Sequence, residues 1–301
     1  WREAVDPDSS GLGGITDAYA RIMIQDYVNV RMGVYNVATL RSSTVQRNHT
    51  LFIDRSWLGQ QDSNRELGVG LYGSFSRVNW YLDVANGMDG TSDGLAFAAR
   101  VDFDILGKLS AYEGAYGAPE GTNLNVGVVY QDDSSDETDG TSRNASNFAV
   151  DATLVAGGFS VFGEMIGFDK DTGAYYFSDY LNAGTVPSST AGGMVAVDHS
   201  PWSLGASYLF AEVYEVAVRY DDWDDLENTS RYNIALNRYV YGHDVKWQVQ
   251  YSFGDSDARR EHAVVDERPG QDAPEPDDRL TGRAALHELR AWHLRMAGQD
   301  R

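Results

Sequence analysis

Arginine holds oxyanions well because its planar fork pairs with phosphate or carboxylate through two parallel hydrogen bonds. Two sets of basic residues are placed for that chemistry. Arg21, Arg31, Arg100, Arg219 and Lys246 occupy the polar positions of alternating segments. Arg41, Arg47 and Arg55, with Arg65 and His49, give the stretch 38–66 a basic centre that no other long polar stretch has. The same stretch carries Leu51, Phe52, Ile53, Trp57 and Leu58, an apolar group that must be buried somewhere. Solvated surface arginines are the plain alternative.

Other chemistry is sparse. The 301 residues include no cysteine, which removes disulfides, thiolate metal sites and cysteine nucleophiles together. There is no nucleophile elbow, phosphate loop, HExxH helix or EF-hand loop. The six histidines, at 49, 199, 243, 262, 287 and 293, are scattered and read as loop or turn residues. Asp102 and Asp104 share one strand face, and paired acids can do general acid/base work. With Arg100 beside them, a charge network is the better reading. The sequence therefore predicts no catalytic residue, no metal site, no cofactor and no enzymatic activity. Its 45 acids against 24 Lys and Arg, a formal net charge of −21, also exclude a nucleic-acid partner.

What positions these residues is alternation of period two, recurring in segments of about ten residues, the length a tilted strand needs to cross a bilayer. In 27–37, Val28, Val30, Met32 and Val34 face one way, with Asn29, Arg31 and Gly33 the other. The segments 78–85, 95–105 and 245–253 split as cleanly. Weaker copies lie at 15–24, 67–76, 123–131, 147–156, 159–168, 202–210, 213–223 and 231–240, for twelve strands in all. A thirteenth fits 288–297, where Trp292, Leu294 and Met296 alternate with His293 and Arg295, although the Ala, Leu, Arg and Glu of 280–298 also suit a helix. No apolar run approaches the roughly 18 residues of a membrane helix. The content of 7 Trp, 18 Tyr and 11 Phe is too aromatic for a disordered chain.

Short links at 25–26, 76–77, 157–158, 211–212 and 241–244 take turns with long ones at 38–66, 132–146, 169–200 and 254–284. This is the asymmetry of an up-and-down membrane barrel. Only 106–122, long on the short-turn side, and 87–94, short on the other, fit less well. The expected fold is a single all-β domain over 1–301, a transmembrane up-and-down antiparallel β-barrel, with 38–66 folded inward as a constriction loop and 254–284 as a long acidic outer loop. The inferred inner faces hold Asp17, Asp83, Asp102, Asp104, Asp151, Glu164, Glu215 and Asp221 beside Arg21, Arg31, Arg100, Arg219, Lys246 and Arg295. That is close to balance, so most of the negative charge falls in outer loops.

Several runs in order resemble the phosphate-selective porin O and P family of bacterial outer membranes. They are Asp17-Ala18-Tyr19, Val30-Arg31-Met32-Gly33-Val34-Tyr35, Leu51-Phe52-Ile53-Asp54-Arg55-Ser56, Asn64-Arg65-Glu66-Leu67-Gly68-Val69, Ala98-Ala99-Arg100-Val101, Tyr214-Glu215-Val216-Ala217-Val218-Arg219-Tyr220-Asp221 and Gly242-His243-Asp244-Val245-Lys246. The resemblance spans about 15–253. It implies an outer-membrane homotrimer of 16-stranded barrels, surrounded by lipid, with the third outer loop folded inward and arginines guiding anions such as phosphate. If 38–66 is that loop, three strands lie upstream of 15–24, thirteen lie in this chain, and 1–14 is the remnant of an outer loop. Family members that select anions use lysines at the constriction, whereas this chain has only Lys108, Lys170 and Lys246. Three readings stay open: a porin for passive diffusion of small hydrophilic solutes, an envelope-organising or scaffold barrel with a plugged lumen, and a soluble all-β binding protein.

Overall fold

A computed structural model of the chain describes residues 2–6, 14–61, 65–86, 95–134, 145–168, 200–224, 228–255 and 288–296. These form one antiparallel sheet of 14 strands in which each strand pairs with its neighbour in sequence. The strands are β1 (Arg2–Asp6), β2 (Gly14–Gln25), β3 (Val28–Asn36), β4 (Arg65–Phe75), β5 (Val78–Ala85), β6 (Leu95–Leu106) and β7 (Thr122–Ser134). They continue through β8 (Ala145–Ala156), β9 (Phe159–Phe168), β10 (Trp202–Phe210), β11 (Tyr214–Asp222), β12 (Ser230–Tyr241), β13 (Val245–Asp255) and β14 (Glu288–Met296).

The twelve alternating segments are β2 to β13. The segment that suited either strand or helix is β14, hydrogen-bonded along β13 from Val245↔Met296 to Ser252↔Glu288. Part of 1–14, expected as a loop, is instead β1, paired with β2 from Arg2↔Tyr19 to Asp6↔Gly14. Five residues are too few for a period of two to be read in them. The acidic stretch 254–284 lies almost entirely outside the described residues, as do most of 132–146 and 169–200.

Burial along the strands is inverted relative to a water-soluble sheet. On β12, Tyr232, Ile234, Leu236 and Val240 are exposed while Asn233 and Asn237 are buried; on β13, Trp247 and Val249 are exposed while Lys246, Gln248 and Gln250 are buried. The same pattern runs through β3 to β11. Soluble proteins rarely expose contiguous apolar surface beyond a few hundred Å². Across β3 to β13 the apolar face is the exposed one, the face that lipid covers, so the reading as a soluble all-β binding protein fails on burial. At the turn end, Gly157 and Gly158 link β8 to β9 with φ of 56° and 87°. This is the left-handed pair that a two-residue hairpin needs to match strand twist.

Candidate functional site

The β3–β4 connection enters from the long-loop end and lies against the polar face of the sheet. It carries α1 (Arg41–Thr44), a 3₁₀ turn (Arg47–His49) and α2 (Trp57–Gln61). Its apolar residues settle in three places on the wall. Val37 packs on Ala85, Ala96 and Ala98; Leu40, Trp57 and Leu58 pack on Val129, Ala149 and Ile166, with Trp57 stacked 4.8 Å from Trp223; Leu51 and Phe52 pack on Ala217 and Ala235 beside Phe162. Each large side chain buried this way contributes about 1.5–3 kcal/mol. Alanine recurs at these contacts because a larger inward side chain would fill the space the loop occupies.

A second segment, 107–121 between β6 and β7, comes from the opposite, short-turn end and meets the first. The Glu113 amide donates to His49 O (3.0 Å), and Glu113 Oε2 accepts from the Leu51 amide (2.9 Å). Arg41 Nη2 donates to the carbonyls of Ser110 (2.7 Å) and Tyr112 (2.9 Å). Wall residue Glu215, fully buried, accepts from the Ala115 amide (2.7 Å), Ser207 Oγ (2.6 Å) and Tyr239 Oη (2.7 Å). Gly114 stands at the closest approach: with φ of 84°, a Cβ there would lie 2.5 Å from Glu215 Oε1 and 2.6 Å from Leu51 Cδ2. Aromatic rings complete the junction. Tyr112 stacks on His243 (4.3 Å), Tyr116 on Tyr239 (3.8 Å), and His49 sits edge-on to both Tyr112 (4.5 Å) and His243 (5.5 Å). Burial, and after it the nearby Lys246 ammonium, pushes the His243 imidazole down to about 4 and the His49 imidazole below its ordinary value.

Most of the expected basic residues hold this arrangement together. Arg100 donates to Asp151 (2.5 and 3.0 Å), to Asp102 and to Thr39 O (2.6 Å). Arg219 donates to Asp221 (3.1 Å) and to the carbonyls of Asp54 and Arg55. Lys246 donates to Thr50 O, and Arg55 Nη2 to Val45 O (2.7 Å). Arg31 forms a two-point pair with Asp83 (2.6 and 3.1 Å). Asp151, the partner of Arg100, also accepts the backbone amide of Arg41 (3.1 Å). Arg21 and Arg47 are the exposed members of the set. The network expected of Asp102, Asp104 and Arg100 is partly redrawn: the second carboxylate on Arg100 is Asp151 from β8, while Asp104 accepts from Asn125 Nδ2 (2.8 Å).

Glu113, Tyr112, His243 and Glu215 were not singled out as site residues. The signals for them were the unusual length of 106–122 on the short-turn side and the alanines among otherwise polar inward positions.

No protein-family model matches the chain, and no curated protein matches it in sequence. Among solved structures, it is similar to the outer-membrane expressed OmpT of Vibrio cholerae, with a TM-score of 0.51 at 10% identity over 81% of this chain and 71% of that one. The fold is that of an outer-membrane barrel protein. Two further structures align with TM-scores of 0.48. One is an anion-selective porin from Comamonas acidovorans, 12% identical, with 77% of this chain and 65% of that chain covered. The other is Pseudomonas aeruginosa OccK7, 14% identical, with 79% and 62% covered. The chain thus spans just under two thirds of the length of these two.

Proposed function

We propose that the chain forms a channel of the bacterial outer membrane, a passive path for small hydrophilic solutes rather than an enzyme. The observation that carries this reading is the inverted sheet: a lipid-suited outer face around a polar inner face crossed by two folded segments. In this reading 38–66 is the constriction loop of a single barrel domain. Arg21, Arg31, Arg100, Arg219 and Lys246 line the wall, and Arg41, Arg47 and Arg55 line the constriction. The exposed guanidiniums of Arg21 and Arg47 are the ones that attract anions, phosphate among them as the sequence resemblance implies, and three copies assemble as that resemblance also implies.

Reconstitution into a planar bilayer is the test. Stepwise conductance is expected, with a reversal potential under a salt gradient of anion-preferring sign that moves toward cation preference in Arg21→Ala and Arg47→Ala. Protein that inserts into the bilayer without any conductance overturns the reading. A second reading, an envelope-organising barrel with a plugged lumen, is favoured by the meeting of 38–61 and 107–121, and silent insertion is its signature.

A further inference from the structure

On the inner face of β2 to β5, six side chains close a circuit. The Arg21 guanidinium lies over the rings of Tyr19 (5.2 Å) and Tyr72 (5.9 Å). Tyr72 runs nearly parallel to Tyr81, with centroids 6.5 Å apart and planes 12° from coincidence. Tyr81 faces Arg31 (6.0 Å), Arg31 lies over Tyr35 (4.2 Å), and Tyr35 meets Tyr19 edge-on at 5.9 Å. Strand register produces this: Arg21 is opposite Arg31, Tyr72 opposite Tyr81, and the bare Gly33 and Gly70 lie opposite Tyr19 and Arg31. Gly70 is needed for space, since a Cβ there would collide with Asp83 Oδ1, which accepts from Arg31 and Tyr35.

The two arginines differ in what is left for a ligand. Asp83 neutralises Arg31. Arg21 is exposed, and among the described residues its contacts are the two tyrosine rings alone. A guanidinium packed on rings keeps its in-plane N–H donors free, and those donors suit a carboxylate bidentately. Half-buried tyrosine faces beside it offer area to a flat ring, and stacked or edge-on aromatic pairs gain beyond the area they bury.

We infer that this patch binds planar aromatic carboxylates, the carboxylate on the open edge of Arg21 and the ring against Tyr72 and Tyr81. The inference deepens the channel reading and rests on it for a role in passage, while the binding can be measured without transport. Benzoate, acetate and benzyl alcohol should be titrated calorimetrically into the full chain in detergent. Benzoate is expected to bind about tenfold or more tighter than acetate, which lacks the ring and its contacts with two tyrosines, and than benzyl alcohol, which lacks the charged hydrogen-bonded pair. Arg21→Gln and Tyr72→Leu should each weaken benzoate by a similar factor and leave acetate nearly unchanged in Tyr72→Leu. Equal affinity for benzoate and acetate, or benzoate binding untouched by Arg21→Gln in protein with unaltered strand content, overturns the inference. In bilayers benzoate should interrupt the current of the wild type and not of Arg21→Gln. Benzoate binding without conductance would sink the channel and leave the patch standing, and conductance without benzoate binding would do the reverse.

Discussion

Arg100 is 4% exposed and gathers acceptors from three parts of the chain: Asp102 on its own strand, Asp151 on β8 and the carbonyl of Thr39 at the start of the inward segment. A hydrogen bond to a charged group is worth about 1.5–3 kcal/mol, and removing one partner leaves the other desolvated and unpaired. Arg100→Met should therefore lower stability by about 2–3 kcal/mol, measured as urea unfolding in lipid vesicles, and should speed proteolysis within 38–61. Asp151→Asn on that background should recover part of the loss, because the orphaned carboxylate is its cause. If Arg100 were only a rung for passing anions, stability would stay constant and the reversal potential alone would move. The residue types at these positions were legible in the sequence, and their placement on the inner face followed from alternation. Their partners were not, since Arg219 meets the carbonyls of Asp54 and Arg55 across separations of 165 and 164 residues that no local spacing encodes.

At the scale of elements, strands β2 to β13 were readable because one polar and one apolar face leave a period of two in every segment. The segment 107–121 was not, because its structure depends on contacts such as Ala115 with Glu215 at a separation of 100 residues rather than on any period of its own. Its junction with 38–61 is sensitive to acid. Burial and Lys246 hold His243, in the β12–β13 turn, down to about 4, and His49 is lowered too. Around them stand Tyr112, Tyr116 and Tyr239, with Asp244 raising His49 against those effects. The released form binds protons near the ordinary histidine value of about 6.5, so it takes up more protons than the packed form between there and about 4. The junction is then fully stable above about 6.5 and loosens as pH falls toward 4. Single-channel conductance should rise, and protease cleavage within 107–121 should quicken, over that window. His243→Phe, which keeps the stack on Tyr112, should flatten the profile. Gly114→Ala should mimic acid at neutral pH, since the added methyl meets Glu215 and Leu51 at a residue held at positive φ. Profiles unchanged in both variants would show that the junction does not control the path.

For the whole molecule, a mean hydropathy of −0.41 and a net charge of −21 describe an acidic, water-loving chain, yet the outward face of its described strands is apolar. The average conceals two halves of each strand, and the distinction has a direct consequence for substitution. Val218 is 51% exposed in the middle of β11, opposite Ala206 on β10 and Ile234 on β12, so its outward neighbours are apolar as well. In a soluble sheet, arginine at so exposed a position would cost almost nothing. In a bilayer it sits at the depth where a cation costs about 2–4 kcal/mol, whereas at Val240, near the turn end of β12 and just as exposed, the cost falls to about 0–1 kcal/mol. Urea unfolding of Val218→Arg and Val240→Arg in vesicles should separate by that difference. In detergent micelles, where charged headgroups and water reach the belt more easily, the gap should shrink. Equal small losses for both variants in vesicles would mean that the apolar belt is not the face that lipid covers.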